Sequence, residues 1–394
     1  MGTRRAGPET SGRGALPGPL GPWQNDASTE RSSSMGEPSM LGNWVEVLRT
    51  CNLPQDRRMD PVSKWLIITR SCVFSITALS ALLGGLLAAF DGAFSLSRWL
   101  LVLAGLVLAH AANNMINDLF DTLEGVDTDD YPRAHYAPHP ILDRLVSRNT
   151  LIAAIVACVL VDFVIAVLLT RRCGWPVMAF AVAGFLTSLF YVAPPLKLKH
   201  RGFGELALLI IWGPLMISGT YYVMAGSVPA RIWLDSLPYG LAVALALMGK
   251  HMDKLEKDKA KGVRTLPVVL GQKGAIRATQ LAVWVFYLSI AALVFSGELP
   301  WPTLLVVTTL PRASRLIVAL EQPLPTTTRE AFSRVEDVVP EHFKKRFDPS
   351  LPLEAYPLWP LWYVVWCIWW TRAAGGYFSL GLLVAVVGRR ILGL

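Results

Sequence analysis

Apolar stretches recur along this chain at about residues 65–90, 97–117, 150–170, 175–193, 204–226, 233–250, 277–296 and 301–320, and again from 357 to the C-terminus. An α-helix rises about 1.5 Å per residue, so roughly 20 apolar residues cross a hydrocarbon layer some 30 Å thick. Lipid offers no hydrogen bonds, and a spanning segment must satisfy its own backbone as a helix. The pattern predicts an all-α, polytopic membrane bundle of about nine transmembrane helices. Composition agrees: 53% of residues are hydrophobic and only 17% charged, against about 25% charge in a soluble domain. Within the last stretch, "YPLWPLWYVVWCIWW" has the short aromatic character of an interfacial segment, and "GGYFSLGLLVAVVG" that of a final span.

The net charge of +8 sits mostly in short loops between apolar runs. That distribution orients a membrane protein and excludes nucleic acid as a partner. Loops after the second, fourth and sixth runs carry Arg133, Arg144 and Arg148, then Lys197, Lys199 and Arg201, then eight further Lys and Arg residues between 250 and 277. The odd-numbered loops hold few. The acidic even-numbered loops and the N-terminus are therefore expected in the cytoplasm. Residues 1–60 read as a loosely ordered cytosolic tail, 61–320 as the membrane core, 321–355 as a polar cytosolic insertion and 356–394 as an aromatic membrane segment. Five scattered cysteines show no ligand spacing, and neither a disulfide framework nor a zinc site is expected.

The second apolar run ends in "NNMINDLFDTLEGVDTDD". On a helix, Asn114, Asn117, Asp118 and Asp121 fall on one face, being three and four residues apart. Carboxylates there oppose the macrodipole at a helix C-terminus, so capping explains them poorly. Gathered carboxylates need a cation, and an oxygen-only donor set suits Mg²⁺. Asp127 follows Gly125 as a further ligand candidate. The sixth run closes in "GKHMDKLEKDKAKGVRTLPVVLG", with Asp253, Glu256 and Asp258 among lysines on the same side of the membrane. "YVAPPLKLKHRGFGE" places Lys197, Lys199 and Arg201 on that face, where diphosphate binding and the inside-loop bias account for them about equally well. Arg70, near the start of the first run, either snorkels to the surface or points inward at an anion. A weak symmetry between spans 1–4 and 5–8 sets the two acidic loops opposite one another.

Together these stretches resemble the UbiA superfamily of membrane prenyltransferases, most nearly its menaquinone-pathway (MenA-type) branch, the 1,4-dihydroxy-2-naphthoate polyprenyltransferases. "NNMINDLFDTLEGVD" is similar to the family's Asn and NDxxD motif, and "DKAKGVRTLPVVLG" to the end of its second motif. "YVAPPLKLKHRGFGELALLIIWGPLMISGTYYVMAG" resembles the stretch between them. The resemblance covers about residues 60–320. It implies helices around a central cavity, where Mg²⁺ on both acidic motifs stabilises diphosphate leaving an allylic prenyl donor and the cation alkylates a small aromatic acceptor. Asp118, Asp121, Asp253 and Asp258 would then be catalytic. Asn117, Asp118, Asp121, Asp127, Asp253 and Asp258 would hold metal, and Asn114, Asn117, Lys197, Lys199, Arg201, Arg70 and Tyr191 would bind substrate. Tyr221 and Tyr222 are further candidates for the lining. The partners implied are the prenyl diphosphate, the aromatic acceptor and the lipid bilayer, with no obligatory protein partner.

The second motif departs from the family's pattern. Lys254 stands four positions before Asp258 where the family has an acid. Asp253 lies five away, diverging from Asp258 by about 140° on an ideal helix. Three other readings stay open on these residues: a terpene cyclase using the same ionisation, a non-catalytic membrane scaffold, and an ion transporter, since acids at membrane depth also carry ions.

Overall fold

The computed structural model describes residues 39–53, 57–339 and 361–392, the side chains of residues 135, 136 and 392 aside. The expected tail up to residue 38, residues 340–355 of the expected insertion, and residues 356–360 lie outside the described residues.

Two short helices come first, α1 (Met40–Thr50) and α2 (Pro61–Ile68). Asp60 caps α2 by accepting from the amides of Val62 and Ser63, and also accepts from the Trp44 indole of α1 at 3.0 Å. The membrane core follows: α3 (Phe74–Phe90), α4 (Leu96–Leu123), the single-turn α5 (Pro132–Tyr136), α6 (Arg148–Cys173), α7 (Pro176–Val192), α8 (Gly204–Ala225) and α9 (Ala230–Asp253). After α10 (Leu255–Ala260) come α11 (Leu266–Phe295), α12 (Trp301–Glu321), α13 (Thr328–Val335) and α14 (Tyr363–Leu392). Eight of these helices are long and apolar enough to cross a bilayer, and α7 is a shorter apolar ninth. The chain is a multi-pass integral membrane protein.

Burial separates inner from outer helices. α9 is mostly buried against the protein, whereas most of the strongly apolar α6 is not. The exposed Leu160, Val161, Phe163 and Val164 of α6 therefore face lipid. Water does not drive helices together within lipid, so close backbone approach does the packing. At the α8–α9 crossing a Cβ on Gly213 would lie 2.8 Å from the Ser236 carbonyl oxygen and 3.1 Å from the Gly240 Cα. At the α3–α8 crossing a Cβ on Gly84 would meet the Ile217 carbonyl at 2.5 Å.

Residues Ile211–Ser218 of α8 are wound as a π-helix around Pro214, which lacks a backbone donor. Ser80 of α3 donates to the Trp212 carbonyl at 2.7 Å, supplying a bond from outside the helix.

Two expectations are corrected. The C-terminal aromatic stretch is not a separate interfacial piece from Tyr363 onward: it runs unbroken into the last span as the 30 residues of α14. Cys51 and Cys72 form a disulfide, with Cα atoms 5.1 Å apart, tying the end of α1 to the turn before α3. No motif spacing announces that pair, because packing of α1 on α2 is what brings the two residues together. Within the predicted polar insertion, Ala331, Val335 and Val339 pack into the main core.

Gly213→Ala is expected to lower stability by about 1–3 kcal/mol, the cost of overpacking a tight crossing. Gly388→Ala, where a Cβ meets nothing within 4 Å, serves as control. Thermal unfolding of both variants in detergent checks the difference.

Candidate active site

The last turns of α4 carry the first acidic motif inward. Asn114, Asp118 and Asp121 are buried, Asp118 completely. Three cationic side chains from separate segments meet these acids. Arg133, in α5 beyond α4, grips Asp118 with Nε to Oδ1 at 3.1 Å and Nη2 to Oδ2 at 2.9 Å. Its remaining Nη1 donates to the Ala137 carbonyl. Arg70 Nη2 makes a very short bond to the same Asp118 Oδ1. Lys199 Nζ lies 2.5 Å from Asp121 Oδ2. Burial alone would depress the Lys199 pKa, but the Asp121 carboxylate beside it outweighs this and the pKa is raised. Lys199 is therefore a fixed cation at neutral pH.

Arg70 is aimed by an unusual backbone. Its φ of 53° is left-handed, which a residue with a Cβ rarely adopts. Asn114 Nδ2 donates to the preceding carbonyl, Thr69 O, at 2.9 Å and holds that turn against α4.

Asp127 lies beside Asp118, and His139 completes the group: one donor atom from each lies within 4.8 Å of the others. His139 Nδ1 accepts from the backbone amides of Ile141 and Leu142, both at 3.2 Å. The proton is thereby assigned to Nε2, which donates to Asp127 Oδ2 at 3.2 Å. In that tautomer His139 offers no lone pair inward and positions Asp127 instead. The donors left are oxygens. Asp121 Oδ1 is buried with no hydrogen-bond partner among the described residues, and Asn117 lines the adjoining cavity. Such a set fits a hard divalent cation such as Mg²⁺.

The second motif divides at a break in the helix. α9 ends at Asp253, α10 begins at Leu255, and Lys254 sits between with non-helical φ and ψ. Asp253 turns away from the site and accepts three backbone amides at the start of α14: Trp362 at 2.9 Å, Tyr363 at 2.7 Å and Val364 at 2.9 Å. Its role there is to cap a helix N-terminus, so it joins neither the proposed catalytic group nor the metal ligands. Asp258 does face the first motif. It accepts a very short bond from the Tyr131 hydroxyl, with Lys254 Nζ 3.8 Å away. Lys254 also donates to the Tyr131 oxygen at 2.9 Å. Burial and then the Asp258 charge push the Tyr131 pKa far up, so the phenol stays protonated and remains a donor.

The basic strip also divides. Lys199 is in the site, and Lys197 sits at its rim on Glu124 at 2.6 Å. Arg201 is exposed and bonds the Pro195 carbonyl at 3.1 Å, outside the acid cluster. Tyr191 is buried and lines the cavity. Tyr221 and Tyr222 bond Asp91 and the Cys173 carbonyl instead, away from the acidic motifs. Sequence reasoning left out Arg133, His139, Tyr131 and Lys250, which count as loop or helix-end residues until the chain folds.

Two cavities meet at Asn113 of α4, which lines both. One, about 160 Å³, is walled by α4, α6, α7 and α8 with mostly apolar side chains, Asn113, Asp162, Ser188 and Thr220 being the exceptions. The other, about 260 Å³, lies beside the acid cluster and is lined by Arg70, Arg133, Asn117, Tyr191, His110 and Lys250 among others.

Residues 78–332 match the UbiA prenyltransferase family. The chain belongs to that family. It is similar to the 2-carboxy-1,4-naphthoquinone phytyltransferase of Synechocystis sp., 27% identical over 64% of this chain and 81% of that protein. The 1,4-dihydroxy-2-naphthoate octaprenyltransferase of Bacillus subtilis is 23% identical over 59% of this chain and 75% of its own length. Among solved structures, a UbiA homologue from Aeropyrum pernix K1 superposes at a TM-score of 0.52 and 18% identity, covering 79% of this chain and 97% of that one. The fold is that of the family, and the chain is a prenyltransferase.

Asp118→Asn is expected to cut turnover of a prenyl diphosphate roughly a hundredfold or more, the scale seen when one preorganised electrostatic group is lost. Asp253→Asn should keep activity within a few fold yet lose about 1 kcal/mol of stability as the cap weakens. Parallel assays and thermal unfolding of the two variants separate the roles.

Proposed function

We propose that this protein moves a polyprenyl group from an allylic prenyl diphosphate to a small hydroxynaphthoate acceptor, releasing diphosphate, with Mg²⁺ as cofactor. The observation that carries this reading is the meeting of an apolar, membrane-embedded cavity with a polar, cation-lined one directly below the acid cluster. The names of the relatives from Synechocystis and Bacillus subtilis support a naphthoate-type acceptor.

In this reading Asn117, Asp118, Asp121 and Asp127 hold the metal, and Asp258 contributes from the facing loop. A bound Mg²⁺ supplies Lewis-acid stabilisation of the departing diphosphate. Lys199, Arg70, Arg133 and Lys254 converge on the same space and bind the phosphoryl oxygens, with Lys197 at the rim. The allylic C–O bond breaks and its electron pair leaves with diphosphate. A ring carbon of the acceptor then donates a π pair to the allylic cation, a C–C bond forms, and the ring sheds a proton. The apolar cavity takes the prenyl chain and excludes water from the cation. The faces of Tyr191 and Trp212 stabilise positive charge nearby. The acidic end faces the cytoplasm, in keeping with the Lys and Arg residues of its loops.

The test is diphosphate release by the purified protein from a long-chain prenyl diphosphate, with and without 1,4-dihydroxy-2-naphthoate, and with and without Mg²⁺. Release that requires both additions is expected. Release without acceptor, accompanied by a cyclised hydrocarbon, would instead make the protein a cyclase. No release from any donor would return it to a binding role.

A further inference from the structure

The polar cavity holds a lysine amine that no acid of the cluster pairs. Lys250 of α9 lines it, one helical turn before Lys254. No hydrogen bond or ion pair to Lys250 exists among the described residues. The charged groups whose fields reach it most strongly are Arg70, Lys254, Lys199 and Arg133, all of its own sign. Those four already have partners: Asp118 for both arginines, Asp121 for Lys199, and Tyr131 for Lys254. An ammonium placed among cations in a low-dielectric cavity is stabilised only by an anion that arrives from outside.

The wall around it is shaped for an aromatic ring. Trp212 and His110 both line the cavity and meet edge to face, with ring centroids 5.2 Å apart. Thr77 Oγ1 accepts the Trp212 indole N–H at 3.0 Å and lies 2.7 Å from His110 Nδ1. The hydroxyl oxygen has a second lone pair, so either His110 tautomer satisfies this contact. No partner to Nε2 exists among the described residues, so this nitrogen is available to hydrogen-bond a ligand. A lysine amine, an imidazole nitrogen and an indole ring thus line one space, on the membrane side of the diphosphate-binding cations.

We infer that Lys250 binds the carboxylate of the aromatic acceptor, while His110 Nε2 hydrogen-bonds a ring hydroxyl and Trp212 packs against the ring. The assignment rests on the transferase reading above and specifies its acceptor side. Lys250 thereby selects carboxylated aromatic acceptors over uncharged ones and leaves the diphosphate to the cations nearer the loops.

The experiment compares 1,4-dihydroxy-2-naphthoate with 1,4-dihydroxynaphthalene, which lacks the carboxylate, in wild type, Lys250→Met and Lys250→Arg. Losing a charge-assisted hydrogen bond is expected to raise the KM for the naphthoate roughly ten- to a hundredfold in Lys250→Met. The KM for the prenyl diphosphate and the use of the uncharged acceptor should stay within about twofold on the same reasoning, which also shows that the variant folds. Lys250→Arg should recover part of the loss. Calorimetric titration of the naphthoate into each protein without donor gives a readout independent of turnover, and its Kd should follow the same order. A raised donor KM with an unchanged acceptor KM would overturn the assignment and place Lys250 with the diphosphate cations. An equal loss with both acceptors would overturn it too. Failure of the wild type to transfer to either acceptor would sink the transferase reading itself, a result distinguishable from an active enzyme that is indifferent to Lys250.

Discussion

The fully buried carboxylate of Asp118 is the constraint around which the acidic end of the bundle is organised. An ionised group with no exposure costs several kcal/mol unless it is paired and hydrogen-bonded. Asp118 is answered from two directions, by Arg70 from the turn between α2 and α3 and by Arg133 from α5 beyond α4. Both cations pay in conformation for reaching it: Arg70 through a left-handed backbone, Arg133 through a chain turned back by α5 and anchored on Ala137. Once Asp118 is fixed, Asn114 one turn earlier and Asp121 one turn later are fixed too. The site is therefore a property of how α2, α4 and the loop beyond α4 meet.

The facing loop is drawn in by the same electrostatics with a different set of groups. Tyr131 lies between Asp258 and Lys254, and Lys261 reaches across to the carbonyls of Gly125 and Val126 at 3.1 and 2.8 Å. Lys254 thus occupies the place where the family pattern has a second acid. Asp253 is released from the site and binds the start of α14 instead, and that helix in turn lends Val364 and Ile368 to the cavity wall. One acid has become an anchor and its neighbour a cation, and the C-terminal span is locked to the site as a result.

The apolar helices were legible because each is a local property, an apolar run between polar ends, and the face shared by Asn114, Asn117, Asp118 and Asp121 follows from helical spacing alone. The family pattern was legible for the same reason. What distinguishes Lys199 from Arg201 is not local: two residues apart on one turn, one reaches Asp121 and the other a loop carbonyl. Arg133 and His139 lie 15 and 21 positions beyond Asp118 and acquire meaning only when the chain folds back. The fate of Asp253 depended on a break in the helix at Lys254, and on an N-terminus more than 100 residues later that needed a cap. The disulfide between Cys51 and Cys72 was hidden likewise, since two cysteines without a motif become a pair only through packing.

The polarity of the interior also orders the chemistry. Moving inward from the loops, the side chains change from carboxylates with paired cations, to the unpaired Lys250 with His110 and Trp212, to the apolar lining of α4, α6, α7 and α8. A molecule with a charged head and a hydrocarbon tail has one low-energy orientation along that gradient. Its reactive carbon, between head and tail, then sits near Asn113, where the two cavities meet. A flat anionic ring has its own minimum beside Lys250, adjacent to the same point. Orientation of both reactants thus follows from where charge is buried, and the entropy of bringing them together is met by binding rather than at the moment of bond formation.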